Sequence, residues 1–433
     1  MVFGFFKKKE AEPEDDDDDI EPVSFLGPTN GQEVNLKAHA KLVEAGLVRA
    51  KDLVTDALAQ RADGLKVEPK GQLNTVTIYI DGIPQSGGRL SKAEGLAVTQ
   101  VMKLVAGLDP KQRTASQSGG IKAEFESKKY VLMVSSSPVP DGERLMIRIN
   151  DQAIKLENAT ELGMGEEMRL KLKSLTNSPG VVLVTGPPGS GVTTTMYGVL
   201  RNVDAYIHNV FTMIDSGGRT LFHVSTYDDP VQGENLEGSL TRLARREANC
   251  VLVEPIRSAE VAKPVFAKAD SLMIISEMTA KDTASAVQAL VQQVGDPALV
   301  AEHLRAIVQP KLLRRLCQAC RLAYRPKPDF LKKLGLPETL KTLYRVPPIP
   351  EDAKDHEPCP KCSDVGYLGR VAMFEMLEVT PAIKEIIAAG ADPAALRAQM
   401  KKEKATTLQA DGLRLVAEGV TALEELQRVF KPA

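Results

Sequence analysis

Between about Val34 and Asp151 the apolar positions change period several times. They recur at helical spacing in LKAHAKLVEAGLVRAKDLVTDAL, alternate in TVTIYIDG, return to helical spacing in LAVTQVMKLVAGL, and alternate again in KYVLMVSSS and RLMIRIN. That succession predicts a small α+β domain over residues 35–151. Over residues 152–308 a helix-like stretch leads to VVLVTG, a short and wholly apolar run that reads as a buried strand. A glycine-rich loop follows and opens into TTTMYGVLRNV. VFTMID, CVLVEP and SLMIIS are further strands, each succeeded by helix-compatible sequence, so this part predicts a mostly parallel α/β sheet. Over residues 309–375 two cysteine pairs flank a proline-rich stretch. Residues 376–433 read as helical, with Gly412 and Gly419 as breaks and Thr421 as a cap.

Residues 1–34 follow neither period. They carry the acidic run Asp15 to Asp19 and few apolar residues, and are expected to form a disordered arm, either a docking tail or simply solvated. Phe3, Phe5 and Phe6 precede Lys7, Lys8 and Lys9, the reverse order of a secretory signal, and no apolar run approaches the ~20 residues that span a bilayer. The expected protein is soluble or peripheral, and the cytosol its default address. With 55 basic and 57 acidic residues the net charge is -2 and no basic face stands out, which argues against a nucleic-acid partner. The 433 residues contain five cysteines, too few for a disulfide scaffold but enough for one metal site.

The loop Gly186-Pro-Pro-Gly189-Ser190-Gly191-Val192-Thr193 has the spacing of a Walker A motif, in which glycines allow a tight turn and backbone N–H groups surround phosphate. Gly186, Gly189, Ser190, Gly191, Thr193 and Thr194 are the candidate nucleotide-binding residues, with the Thr193 hydroxyl facing Mg²⁺. The lysine that would meet the β- and γ-phosphates is replaced by Val192. On these mechanics the loop either binds nucleotide weakly or only turns a strand into a helix. The pairs Cys317-x-x-Cys320 and Cys359-x-x-Cys362 have the spacing of a closed four-thiolate site for a structural Zn²⁺, which leaves His356 unnecessary as a ligand. Cys250 lies in an apolar run and reads as a core residue.

With these pieces in place, the chain from about Asn35 onward resembles the ATPases that power type II secretion and type IV pilus assembly. The resemblance rests on VEPKGQLNTVTIYIDG, MKLVAGLDPKQRTASQSGG, VVLVTGPPGSGVTTT, LLRRLCQAC, CPKCSDVGYLGRVAMFEML and TTLQADGLRLVAEGVTALEEL, in that order. It implies a RecA-like P-loop core, ATP with Mg²⁺ bound between the two domains of one chain, and arginines reaching in from the N-terminal domain. Arg113 and Arg148 fall in the matching stretches, and also read as ordinary surface or interdomain arginines. The resemblance further implies a hexameric ring, made of one chain or mixed with an active paralogue. That ring would work on the cytoplasmic domains of an inner-membrane platform, so the chain would be cytoplasmic and peripheral at the inner membrane.

The departures from the family's motifs bear on activity. Its acidic box, IEDPVE, is here Met213-Ile214-Asp215-Ser216-Gly217-Gly218, which keeps Asp215 as the one catalytic candidate and loses both glutamates. Its VGEIRD reads Val253-Glu254-Pro255-Ile256-Arg257-Ser258, with Glu254 one position early. Its STLHTND begins Ser276-Glu277-Met278-Thr279, read here with Met278 in place of the histidine. Loss of these groups together with the lysine predicts a pseudo-ATPase with a structural or regulatory role. A slow but active motor and a zinc-dependent adaptor without nucleotide are the alternatives.

Overall fold

The computed structural model describes residues 21–153, 159–214, 221–227, 234–348 and 357–431. The chain divides into two compact units, residues 1–154 and 155–433.

The first unit runs β1 (Ser24–Pro28), a 3-10 turn (Lys37–His39), α1 (Ala40–Ala59), β2 (Gly64–Lys70), β3 (Leu73–Ile80), β4 (Ile83–Ser91), α2 (Lys92–Val105), β5 (Gln117–Phe125), β6 (Lys128–Val139) and β7 (Gly142–Asp151). Its strands form one antiparallel sheet in the order β1-β5-β6-β7-β2-β3-β4. Alternate residues such as Val76 and Ile78, Leu132 and Val134, and Leu145 and Ile147 turn one face inward. There they meet Leu53, Val54, Val98, Val101 and Met102 of the two helices. Helix α2 starts at a reciprocal capping box between Ser91 and Glu94, which satisfies two otherwise orphaned N–H groups.

The expected disordered arm needs correcting in part. Residues 1–20, with the phenylalanines, lysines and aspartates of the opening, lie outside the described residues. Residues 21–34, however, include β1 at the sheet edge. Val23 is fully buried, and its N–H donates to Thr55 Oγ1 at 2.9 Å. An apolar pair, Val23 and Phe25, at period two beside an exposed strand edge outweighs the low overall hydrophobicity of the segment.

The second unit contains α3 (Glu166–Leu175), β8 (Gly180–Thr185), α4 (Val192–Leu200), β9 (Val210–Thr212), β10 (Val224–Thr226), α5 (Leu236–Arg245), β11 (Cys250–Leu252), α6 (Ala259–Ala267), β12 (Met273–Met278), α7 (Thr283–Val294), α8 (Pro297–His303) and β13 (Leu304–Leu316). Then come β14 (Leu322–Tyr324), α9 (Pro328–Leu334), β15 (Leu343–Arg345), β16 (Tyr367–Glu378), α10 (Pro381–Ala388), α11 (Pro393–Lys402), α12 (Leu408–Ala417) and α13 (Leu423–Phe430). The main sheet has the order β10-β9-β11-β12-β8-β13-β16, parallel throughout except for β13 against β16. One face packs on α3 and α4, the other on α5 to α8, α10 and α11, so both faces are covered as parallel strands require.

The segment boundaries drawn from sequence at 308/309 and 375/376 fall inside β13 and β16. β13 leaves the core sheet and β16 returns to it, the two forming a hairpin that extends beyond the sheet. The cysteine region is inserted between them, and α12 and α13 pack on the extension through Leu313, Met373, Leu415 and Leu426. Gly412 does not break a helix but lies inside α12, where an added Cβ would stand 2.4 Å from Leu426 Cδ1. Thr421 does not cap α13; its hydroxyl donates to the Arg314 carbonyl at 2.8 Å, and Ala422 holds the cap position.

Candidate nucleotide and metal sites

The carboxyl ends of β8, β11 and β12 lie side by side, the end of a parallel sheet where ligands bind. β8 is buried along its whole length, as its unbroken apolar run requires, and hands the chain to the loop at Gly186. Gly189 and Gly191 adopt φ +84° and +96°, a left-handed backbone that side chains resist. Gly191 is the N-cap of α4, whose first intrahelical bond is Thr195 N–H to the Gly191 carbonyl at 2.9 Å. The N–H groups of Val192, Thr193 and Thr194 precede that bond, and amides in this first turn favour an anion.

Ser190 is buried, yet its Oγ has no hydrogen-bond partner among the described residues. A Cβ at Gly186 would stand 2.5 Å from that Oγ and 3.1 Å from Val192 Cγ2, so the valine folds back against the loop. Val192 and Thr194 are half-buried, and Thr193 is exposed. These features fit a phosphate: a glycine cradle, free amides and an orphaned hydroxyl. They do not supply a cation at position 192.

Around the loop the strand ends are stitched together. Thr185 Oγ1 donates to the Met278 carbonyl at 3.1 Å, Ser276 Oγ to the Glu254 carbonyl at 2.7 Å, and Ile256 N–H to the Glu277 carbonyl at 2.8 Å. Glu254 lies beyond β11 with an exposed side chain. Asp215 and the residues after it in the acidic box, 216–218, lie outside the described residues. Met278 is a core residue, 3% exposed; counting along STLHTND from Ser276 moves the place of the histidine to Thr279, which is exposed. Glu277 was passed over in the sequence, although alternation from Ile275 already puts it on the α4 side of the sheet.

In the first unit, Arg113 is exposed on the loop between α2 and β5, beside Thr114 and Pro138 to Pro140. Arg148 is exposed on β7, on the sheet face away from the helices and opposite Gly64 of β2. Both are on the surface of their own unit.

The four expected metal ligands come together. The Sγ atoms of Cys317, Cys320, Cys359 and Cys362 all lie within 4.8 Å of one another, with Cys317 to Cys359 at 3.9 Å and Cys320 to Cys362 at 3.6 Å. Tetrahedral Zn²⁺ with Zn–S of ~2.3 Å spaces its sulfurs about 3.8 Å apart, so donor set and spacing both fit that ion. Cys317 follows β13 directly. Cys359 and Cys362 sit in a turn in which Ser363 and Asp364 take positive φ, and the Gly366 N–H points at Cys362 Sγ at 3.4 Å. N–H groups of Lys361 and Cys362 pull the Cys359 thiol down to about 7, whereas burial pushes the Cys320 and Cys362 thiols up. His356 lies outside the described residues. Burial alone pushes the Cys250 thiol up to about 12, in keeping with a core residue.

A family profile described as "Type II/IV secretion system protein" matches residues 40–428. The type IV pilus assembly ATPase PilB of Myxococcus xanthus is 29% identical over 92% of this chain and 70% of its own length. The type II secretion system protein HxcR of Pseudomonas aeruginosa is 27% identical over 88% of this chain and 76% of its own length. Against PilB of Thermus thermophilus, 26% identical, the chain spans 42% of the relative's length. Among solved structures, the ATPase DotB of Legionella pneumophila has a TM-score of 0.54 at 14% identity, covering 88% of this chain and 95% of that one. The pilus retraction motor PilT with bound ADP has a TM-score of 0.50 at 14% identity, covering 88% of this chain and 96% of that one. The structural likeness shows the fold, the profile covers most of the length, and the chain belongs to the family of type II/IV secretion system proteins.

Proposed function

We propose that this chain is an ATPase-like subunit of a type II secretion or type IV pilus machine that binds nucleotide and hydrolyses it feebly or not at all. The observation that carries the reading is the loop after β8. It keeps the glycine turns, the free amides and the Ser190 hydroxyl of a phosphate site, while Val192 brings a methyl group where a cation belongs. In this reading the amides of residues 191–194 would hold the phosphates, the Thr193 hydroxyl would reach the metal, and β8 and β12 would keep that end of the sheet rigid, while the Ser190 N–H is spent on the Pro187 carbonyl. A bound Mg²⁺ would supply positive charge to the phosphates. Water activation then has only Asp215 of the former acidic box, too little for a motor's turnover.

The zinc site would brace the insertion between β13 and β16 without taking part in chemistry, since four thiolates leave no open coordination position. Arg113 and Arg148 are the candidates to reach nucleotide from the first unit. The expected setting is a hexameric ring, of this chain or mixed with an active paralogue. That ring would act at the cytoplasmic domains of an inner-membrane platform, where the chain would be cytoplasmic and peripheral. Among the described residues no helix is long and apolar enough to cross a membrane.

The test is equilibrium binding of a fluorescent ATP analogue with Mg²⁺ beside a phosphate-release assay on the same zinc-loaded preparation. Binding without release supports the reading. Release abolished by Asp215→Ala would make the chain an active motor, and neither binding nor release would leave a zinc-braced adaptor.

A further inference from the structure

Glu277 is the penultimate residue of β12 and stands opposite Val184 of β8, two residues before Gly186. Alternation along the strand gives it the same face as Ile275, against which α4 packs through Met196, Tyr197 and Val199. Its main chain is engaged, the carbonyl accepting the Ile256 N–H at 2.8 Å. One oxygen of its carboxylate is not satisfied: Oε2 is buried and has no hydrogen-bond partner among the described residues. Glu277 is half-buried, and a buried carboxylate oxygen left without a partner costs free energy.

Ser190 Oγ, a second orphaned atom at this end of the sheet among the described residues, belongs to the loop that β8 leads into. Two unpartnered polar groups beside the carboxyl ends of neighbouring parallel strands mark a place for a charged ligand. Their chemistry differs, however. A hydroxyl and amides suit phosphate, whereas a carboxylate repels it unless a cation lies between them.

We propose that Glu277 is the carboxylate through which this chain holds the divalent cation of a bound nucleotide, directly or by way of a water molecule, together with the Thr193 hydroxyl. The assignment rests on the nucleotide-binding reading above. It gives the site an acidic residue on the strand next to the loop, in a chain whose VGEIRD-like segment has Pro255 at the place of the glutamate and leaves Glu254 exposed.

The experiment titrates a fluorescent ADP analogue onto the full chain and onto Glu277→Gln and Glu254→Gln, each with Mg²⁺ and with EDTA. Mn²⁺ in place of Mg²⁺ lets electron paramagnetic resonance count bound metal directly. In the wild type and in Glu254→Gln the metal should tighten binding by about tenfold, as expected for a charged ligand group. Glu277→Gln should bind the analogue in EDTA as the wild type does, yet lose that enhancement and the bound Mn²⁺ signal. A full metal response in Glu277→Gln, or its loss in Glu254→Gln alone, overturns the assignment to Glu277 and leaves the nucleotide site standing. No binding by the wild type in either buffer overturns both. The glutamine keeps the shape of the side chain, and a melting temperature without ligand no lower than that of the wild type shows that folding is intact.

Discussion

Lys103 and Glu143 form an ion pair closed to solvent: Nζ lies 2.6 Å from Oε1, with the side chains 0% and 2% exposed. The same ammonium donates to the carbonyl of Gln112, so α2 and β7 together anchor the backbone next to Arg113. Removing one partner leaves the other charge buried and alone. Lys103→Met should therefore destabilise the protein by about 3–5 kcal/mol, while the double change Lys103→Met, Glu143→Leu should recover most of that. Urea unfolding followed by circular dichroism measures both. Hydrogen exchange should also show the amides around residues 109–117 opening in the single variant.

The cysteine cluster predicts one zinc per chain by elemental analysis. Chelation should lower the melting temperature and loosen the packing of α12 and α13, because the insertion and those helices share the β13 and β16 hairpin. Cys362→Ser should reproduce the effect at saturating zinc. A chelated protein that melts as the loaded one does would mean that the metal braces nothing.

Glu425 predicts a pH dependence. It is 1% exposed and accepts hydrogen bonds from the Arg428 side chain and from the side chain and N–H of Arg314. Burial pushes its carboxyl up, but the Arg428 and Arg314 bonds outweigh burial and the net displacement is downward. Its pKa is thus lower folded than unfolded. As pH falls the unfolded chain takes up the proton first, so the stabilisation is present above the unfolded value of ~4.3 and is lost as pH falls through the lower folded one. Glu425→Gln should lose stability at neutral pH and show a shallower decline of melting temperature into acid than the wild type.

Val192→Lys restores a cation to the loop without restoring the glutamates of the acidic box. Nucleotide affinity should rise by about tenfold or more, while phosphate release stays at the wild-type level. Fluorescent-analogue titration and a phosphate assay read the two separately. A marked gain in turnover would show that the lysine alone had been limiting.

The sequence carried the parts of this protein that depend on local pattern. Period two marked β3, β6 and β7, a wholly apolar run marked β8, and the glycine spacing of 186–191 fixed the turn into α4 because those backbone angles favour glycine. The paired spacing of Cys317, Cys320, Cys359 and Cys362 was sufficient to expect one metal centre, since each pair grips one side of an ion.

What the pattern did not carry depends on partners distant in the chain. Strand β1 exists because the edge of β5 is there to receive it, and no count of apolar residues in 21–34 shows that edge. Strands β13 and β16 run across the boundaries drawn between core and metal region, because their pairing continues past the sheet. The orphaned oxygen of Glu277 is visible only once β12 lies between β8 and β11 and its neighbours have formed their own hydrogen bonds. Local sequence therefore determined elements, turns and ligand spacing, while tertiary structure alone decided which edges were filled and which polar groups were left without a partner. The physical reason is that pairing and burial are properties of what packs against a residue, not of the residue's neighbours along the chain.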